Sequence, residues 1–229
     1  MTVLVVGAHP DDEVLGAGGA IARWTDAGRR VRACILSGNV RARQRRPPED
    51  QLLAEMQEAH AVLGMEPAII GMFENIAFNN TPHLDLVRFI EQAIVETSPT
   101  TIVTHHPADL NNDHLHTAAA CQAAARLFQR RAGVARLNEL LLMEVATSTD
   151  WAFASTRDAF APNNFIEMSE AALKRKLSAL ACFSGVMRPS PHSRSREVIT
   201  GWATVRGAQA GFRFAEAFQC VFRAEPNTE

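Results

Sequence analysis

The chain has 229 residues, of which 47% are hydrophobic and 21% charged, and its formal net charge at pH 7 is -2. This composition is typical of a globular protein with enough apolar residues for a sizeable core. The balanced charge and the lack of a long basic block argue against a nucleic-acid partner, and no apolar run is long enough to predict a membrane span.

The cysteines are widely scattered and form no CxxC pair; they are Cys34, Cys121, Cys182 and Cys220. This pattern predicts small buried thiols in a reducing compartment, not a disulfide framework. Met1 is followed at once by a strand pattern, without the charged and apolar regions of a signal peptide. We therefore predict a cytoplasmic protein.

The first 150 residues alternate between strand and helix patterns. The apolar run TVLVVGA at 2–8 predicts a central parallel strand. Gly16, Gly18 and Gly19 predict a turn before a helix that ends at Gly28. Further strands are predicted at 31–37, 67–72, 100–106 and 138–147, and helices at 49–64, 84–98 and 113–131. This alternation predicts an α/β fold with a Rossmann-like, mostly parallel sheet and helices on both faces.

The last third is less regular and predicts a C-terminal extension of helices and a strand. The patterns favour helices at 169–183 and 196–211, a loop at 185–195 and a closing strand at 215–224. Neither an internal repeat nor a low-complexity linker interrupts the chain. We expect a single domain over 1–229, with a core of about 1–150 and an extension of about 151–229.

Polar clusters follow two of the predicted strands. HPDDE at 9–13 comes after the first strand, and HHPADLNNDHLH at 105–116 comes after the fourth. Ligands of such sheets bind at the carboxyl ends of the strands. Three adjacent carboxylates repel one another and are costly to bury, so a cation is expected between the two clusters.

His9 and Asp12 are candidate metal ligands, with Pro10 stiffening the turn between them. Zinc accepts imidazole and carboxylate ligands, and a catalytic zinc site needs three protein ligands and an open position. His114 is the best third ligand, because it lies in the first turn of a predicted helix. His116 diverges from it by about 200° on a helix and cannot join the same ion. Iron or manganese would suit the same ligands.

Three other interpretations stay open at this point. HPDD could cap a helix and place acids near its positive end. GAGG at 16–19 resembles a dinucleotide-binding turn, although GxGxxG is absent and the preceding acids would repel a pyrophosphate. Two histidines and a carboxylate also form the facial triad of iron oxygenases.

A metal site of this kind predicts hydrolysis. Asp11 is not needed as a ligand and could take a proton from a water molecule, while the ion polarises a carbonyl group. Together these features favour metal-assisted cleavage of an amide or ester. Candidates for the proton donor are His105, His106 and His192.

AHPDDEVLGAGG together with THHPADLNNDH resembles the PIG-L/LmbE-like family of zinc-dependent N-acetylglucosaminyl de-N-acetylases, in its D-x-N-x-D-H branch. GMFENIAFNN is similar to the family's segment ahead of its third helix, and EVATSTDWAF…PNNF and PHSRS…RG…AEAF are similar to C-terminal motifs of that branch. The resemblance implies removal of an N-acetyl group from an N-acetylglucosamine-type sugar conjugate. It also implies Zn²⁺ on His9, Asp12 and His114, with Asp11 as the general base.

One position departs from the family. Some members carry a general-acid histidine three residues before the last metal ligand, where this chain has Asn111. We therefore expect His192 to donate the proton or to stabilise the oxyanion, in its own site or in that of a neighbouring subunit of a homo-oligomer. Candidate substrate-binding residues are Arg41 (or Arg43), Glu74, Asn75 and Arg194, and Trp151 could stack on a sugar ring.

Two further hypotheses concern supporting roles and alternative functions. Asp113 could orient an imidazole ligand or cap the helix. The chain could instead be an amidase that removes a larger acyl group from a sugar or thiol conjugate, or a non-catalytic metal- and sugar-binding module. Asp11 argues against the module, because binding alone does not need a spare base.

Overall fold

The computed structural model describes residues 1–39, 47–152 and 159–225. Within these ranges, seven strands form one sheet in the order β3-β2-β1-β4-β5-β7-β6. The strands are β1 Thr2–Gly7, β2 Arg30–Ile35, β3 Glu66–Ile70, β4 Thr101–His105, β5 Glu139–Met143, β6 Asn164–Glu167 and β7 Ala215–Arg223.

The five strands from β3 to β5 in this order are parallel, whereas β7 pairs antiparallel with both β5 and β6. The predicted α/β fold with a mostly parallel sheet is therefore confirmed. The predicted closing strand is β7, and it lies inside the sheet because β6 covers its outer edge. The short strand β6 was missed, because its four residues become a strand only through pairing with β7.

Helices cover both faces of the sheet. They are α1 Asp12–Asp26, α2 Glu49–Leu63, α3 His83–Thr97, α4 Asn112–Ala124, α5 Leu127–Arg130, α6 Glu170–Cys182 and α7 Arg196–Ala210, with a 3₁₀ turn at Phe78–Asn80. Val3 and Val5 of β1 belong to the apolar cluster under α1, α2 and α6, while Leu4 and Val6 belong to the cluster under α3 and α4. Successive side chains of a strand point to opposite faces, which is why β1 is apolar from Val3 to Val6.

The glycine-rich segment is helical, which corrects the predicted turn. Helix α1 begins at Asp12 and contains Gly16, Gly18 and Gly19. A Cβ atom at Gly19 would lie 1.7 Å from Sδ of Met168, and other side chains pack closely on Gly16 and Gly18. The backbone N–H groups of Gly19 and Ala20 donate to the Glu216 carboxylate. These glycines therefore allow the sheet and α6 to approach the helix that carries Asp12.

Two other predicted elements are shorter in the structure. Helix α4 ends at Ala124, because Arg126 has φ -82° and ψ 5°, and the separate turn α5 buries Leu127 in the α3–α4 cluster. Strand β5 ends at Met143, where its pairing with Phe218 of β7 also ends. None of the helices in the described ranges is both long and apolar enough to cross a bilayer.

Candidate active site

The site lies where β1 and β4 end side by side. These two strands pair in parallel, so the segments after them leave the sheet at the same edge. His9 follows β1, Asp12 is the first residue of α1, and His114 lies in the first turn of α4. The three predicted metal ligands therefore meet because neighbouring parallel strands share a carboxyl end.

The ligand atoms of His9, Asp12 and His114 all lie within 4.8 Å of one another, and all three residues are buried. Oδ2 of Asp12 lies 3.5 Å from Nδ1 of His9 and 3.3 Å from Nε2 of His114. Two imidazoles and a carboxylate at this spacing form a donor set that suits a divalent metal ion.

The turn between β1 and α1 places its two aspartates differently. Asp11 has a left-handed φ of 104°, which costs about 1–3 kcal/mol for a residue with a side chain. Its carbonyl oxygen accepts from the N–H groups of Val14 and Leu15 and so starts α1. Asp12 turns back, and its carboxylate accepts from the backbone N–H of His9 at 2.8 Å. Both aspartates are buried.

His9 and His114 each have a second carboxylate behind the ring. Nε2 of His9 lies 2.8 Å from Oδ2 of Asp113, and Nδ1 of His114 lies 3.2 Å from Oδ2 of Asp109. A proton on each of these nitrogens leaves the other ring nitrogen, which faces Asp12, free to bind a metal ion. Such carboxylate–histidine pairs are the usual support of metal-binding imidazoles, and they are the observation that most clearly fits a metal site.

The supporting carboxylates are themselves held in place. Asp109 accepts from the hydroxyl groups of Ser148 at 3.0 Å and Thr149 at 2.7 Å. Asp113 accepts from the backbone N–H groups of Ile76 at 2.6 Å and Phe78 at 3.1 Å. Asp113 therefore contacts the imidazole of His9, which agrees with the hypothesis that it orients an imidazole.

Asn111 caps helix α4. Its side-chain oxygen accepts from the backbone N–H of Asp113 at 2.9 Å. The capping role considered for Asp113 therefore belongs to Asn111. Sequence reasoning did not single out Asp109, although it is the first aspartate of D-x-N-x-D-H and that spacing was a signal for it.

Protonation follows from these contacts. Burial by itself raises the pKa of Asp12, but His114 and His105 outweigh it and hold that pKa well below its ordinary value. Burial lowers the pKa of His114, yet Asp12 and Asp109 together raise it to about 10. The pKa of His9 is also raised, because Asp113 and Asp12 outweigh its burial. The cluster thus attracts positive charge, either protons or a metal ion.

His105 and His106, at the start of this segment, differ in place. The ring of His105 stacks on that of His114 with centroids 3.8 Å apart, and its Nε2 lies 3.0 Å from the backbone N of Ala8. With Asp109 and His114 it forms a second group of metal-ligating atoms at similar spacing. Nε2 of His106 lies 3.1 Å from the side-chain oxygen of Gln219, and His106 is not part of the cleft lining.

The loop before α7 reaches the site through Arg194. Its Nη1 lies 3.6 Å from Oδ2 of Asp11, and its Nε donates to the hydroxyl of Thr147 at 2.9 Å. His192 stands behind it: Nδ1 of His192 accepts from the backbone N–H of Arg194 at 3.1 Å, and the ring lies 5.8 Å from that of Trp151. Burial, with help from Arg188 and Arg194, lowers the pKa of His192.

These residues enclose a cleft of about 430 Å³. It is lined by His9, Asp12, Asn75, Ile76, Leu110, Asn111, His114, Thr147, Ser148, Trp151 and Arg194. Of the predicted substrate-binding residues, Asn75 and Arg194 lie in this lining, whereas Glu74 is exposed outside it. Arg41 and Arg43 lie outside the described residues.

The sequence matches a family model over residues 4–125, and that family is described as PIG-L: GlcNAc-PI de-N-acetylase. A curated relative from Escherichia coli strain K12, named uncharacterized deacetylase YaiS, is 29% identical over 136 residues. The aligned part covers 54% of this chain and 68% of that protein.

Solved structures share the fold over nearly the whole chain. A conserved protein from Thermus thermophilus has a TM-score of 0.79 at 21% identity, with 99% of this chain and 97% of that chain covered. The 4-carboxy-2-hydroxymuconate hydratase GalB from Pseudomonas putida KT2440 has a TM-score of 0.76 at 23% identity, covering 100% and 99%. The N,N'-diacetylchitobiose deacetylase from Pyrococcus horikoshii has a TM-score of 0.72 at 17% identity, covering 96% and 83%. One fold thus carries a deacetylase and a hydratase, so the reaction has to be argued from the site.

Proposed function

The chain belongs to the PIG-L family, described as GlcNAc-PI de-N-acetylase, and we propose that it is a zinc-dependent hydrolase that removes the N-acetyl group from an N-acetylglucosamine-type sugar conjugate. The observation that carries the proposal is the buried cluster of His9, Asp12 and His114, with the buried carboxylate of Asp11 3.6 Å from Arg194 of the cleft lining. This set of groups is what metal-assisted hydrolysis requires.

His9, Asp12 and His114 would hold the metal ion, with Asp113 and Asp109 orienting the two imidazoles. When bound, the ion supplies a Lewis acid that polarises an amide carbonyl and makes a water molecule acidic near neutral pH. Zinc is our first choice because two nitrogen ligands and one oxygen ligand suit it, and Fe²⁺ would fit the same donors.

Asp11 is the proposed general base. It takes a proton from the attacking water while the water oxygen bonds to the amide carbon. The C–N bond then breaks, and Asp11 returns the proton to the leaving nitrogen, which gives acetate and a free amine. This return of the proton replaces the general acid that Asn111 does not supply.

His192 is the proposed donor to the oxyanion. Because its Nδ1 accepts from the Arg194 backbone and its pKa is lowered, the neutral ring carries its proton on Nε2. An N–H of this kind can stabilise negative charge on the carbonyl oxygen. The contact with Trp151, which lines the cleft, supports a position of the His192 ring beside the cleft.

The proposed substrate is a small sugar conjugate. The cleft offers amide and hydroxyl groups from Asn75, Asn111, Thr147 and Ser148, which suit sugar hydroxyls, and Arg194 adds a cation. Arg41 and Glu74 remain predicted contacts. A cytoplasmic location is part of the proposal and agrees with the four free cysteines, two of which are buried.

The decisive experiment measures acetate release from N-acetylglucosaminides by the zinc-loaded protein, before and after treatment with a chelator. We expect release that is lost with the chelator and restored by zinc. Asp11→Asn should lower kcat at least about 100-fold without lowering the zinc content. Asp85→Asn, an exposed acid on α3, is the control. Full zinc occupancy without acetate release from any glycoside would contradict the proposal, and faster release of longer acyl groups would favour the alternative amidase.

A further inference from the structure

Three apolar side chains surround the mouth of the polar cleft. Ile76 is 46% exposed, Leu110 is 55% exposed and Trp151 is 46% exposed, and all three line the cleft. They come from separate segments: the connection before α3, the connection before α4 and the segment after β5. We call these three residues the apolar rim. Exposed apolar side chains that converge at a binding cleft are a mark of ligand contact.

Ile76 is held at the rim in an unfavourable backbone conformation. Its φ is +60°, in the left-handed region that β-branched residues rarely adopt. The backbone N–H of Ile76 donates to Asp113, the same carboxylate that contacts His9, so the site itself fixes this conformation. Asparagine or glycine would adopt this conformation with less strain. The local backbone therefore does not explain why an isoleucine stands here.

Leu110 and Trp151 also contact residues of the site. The backbone N–H of Leu110 donates to the carbonyl oxygen of Ser148, and the hydroxyl of Ser148 donates to Asp109. The ring of Trp151 contacts that of His192 edge to face. Ile76 and Leu110 are thus joined to the groups behind His9 and His114, whereas Trp151 packs on His192.

We propose that the substrate carries an uncharged apolar group, alkyl or aryl, attached directly to the amino sugar on the side remote from its N-acetyl group, and that the apolar rim binds this group. This inference rests on the proposed function, because the amide is placed at His9, Asp12 and His114. An acetyl group has only two carbons and stays at the base of the cleft. The half-exposed rim is therefore reached by the opposite end of the substrate.

The apolar rim gives an alkyl or aryl group a surface to cover. Arg194 is the one arginine or lysine in the lining drawn from the described residues. Its guanidinium is engaged by Asp11 and Thr147. An alkyl or aryl group would cover apolar surface that is otherwise exposed to water.

The first test compares glycosides of N-acetylglucosamine that differ only in the aglycone, using the zinc-loaded protein. We expect kcat/KM for the hexyl or phenyl glycoside to exceed that for the methyl glycoside at least about tenfold. Equal values would overturn the inference while leaving the proposed function intact. Faster release from an N-hexanoyl glucosaminide than from the hexyl glycoside of N-acetylglucosamine would also overturn it, because the rim would then bind the acyl chain. A preference for the 1-phosphate over the hexyl glycoside would do the same.

The second test changes the rim. Ile76→Asn and Leu110→Asn should each lower the hexyl-to-methyl ratio of kcat/KM by about fivefold or more. Ile76→Asn also relieves the positive-φ strain, so its Tm should not fall and unfolding cannot explain the loss. The matched control is Val95→Asn, a 40% exposed apolar residue near the end of α3, which should leave the ratio unchanged.

Calorimetric binding to the zinc-loaded Asp11→Asn variant separates this inference from the proposed function. Tighter binding of the hexyl glycoside than of the methyl glycoside, weakened by an added Ile76→Asn change, would support the rim even if no glycoside were hydrolysed. Equal binding of the two glycosides would overturn the inference.

Discussion

Nε2 of His9 lies 2.8 Å from Oδ2 of Asp113, and this contact joins the segment after β1 to the first turn of α4. The contact fixes the plane of the His9 ring and directs its Nδ1 toward Asp12. Asp113 also accepts from two backbone N–H groups of the segment before α3. The Asp113 carboxylate thus positions both His9, a proposed metal ligand, and the segment that forms one wall of the cleft.

Asp113→Asn should weaken zinc binding by about 10-fold to 100-fold, because an amide is a poorer acceptor for the His9 ring and no longer raises its basicity. Competition with a chromophoric chelator measures the affinity. Asp85→Asn on α3 serves as the control, since Asp85 is exposed and contacts Arg88. A normal affinity in Asp113→Asn would show that the contact does not support a ligand.

Zinc affinity should rise with pH. The pKa of His114 is raised to about 10, so at neutral pH the zinc-free ring carries a proton that the ion must displace. One displaced proton predicts an increase of about tenfold per pH unit between about pH 6 and about pH 8. Titration calorimetry in buffers of different ionisation enthalpy counts the protons released. An affinity that does not change with pH would contradict this assignment.

The same raised pKa affects the stability of the zinc-free protein. Its contribution is fully present below the ordinary histidine pKa of 6.5 and is lost as the pH rises through about 10. The zinc-free protein should therefore lose stability as the pH rises through about 10, and His114→Ala should abolish this loss. Urea unfolding at a series of pH values measures the difference.

His192→Ala should lower kcat by about 100-fold or more if His192 stabilises the oxyanion, since single donors of this kind are worth that much. The loss should be similar from about pH 7 to about pH 9, because a neutral N–H donor does not titrate there. Zinc content should stay unchanged, and His83→Ala at the start of α3 is the control. Full turnover in His192→Ala would contradict a role for His192 in the reaction.

Two glycines of α7 should respond oppositely to alanine. A Cβ atom at Gly207 would lie 2.7 Å from the carbonyl oxygen of Phe212 and 2.8 Å from two backbone atoms of Phe214. Gly207→Ala should therefore lower the free energy of unfolding by about 1–3 kcal/mol. Gly201 has open space around its Cβ position, so Gly201→Ala should raise it by about 0.5–1 kcal/mol. Urea unfolding measures both values, and equal effects would contradict the close packing of α7 on the segment that leads into β7.

Local patterns in the sequence determined much of the fold and the nucleus of the site. The apolar run at 2–8 predicted a central parallel strand. In the structure every residue from Thr2 to Gly7 is buried. His9, Asp12 and His114 were predicted together because the carboxyl ends of parallel strands lie at one edge of a sheet, and the pairing of β1 with β4 makes the two polar clusters neighbours. The division into a core and an extension stays a prediction.

Tertiary packing alone decided the rest. Gly16 and Gly19 follow the pattern of a turn, but they lie inside α1 because Met143 and Met168 need the space that a Cβ atom would fill. The pairing of Asp109 with His114, the reach of Arg194 to Asp11 and the convergence of the apolar rim all join segments that local patterns treat separately. Periodicity and spacing describe neighbours along one chain segment. Which side chains meet across segments depends on how helices and loops pack over the finished sheet.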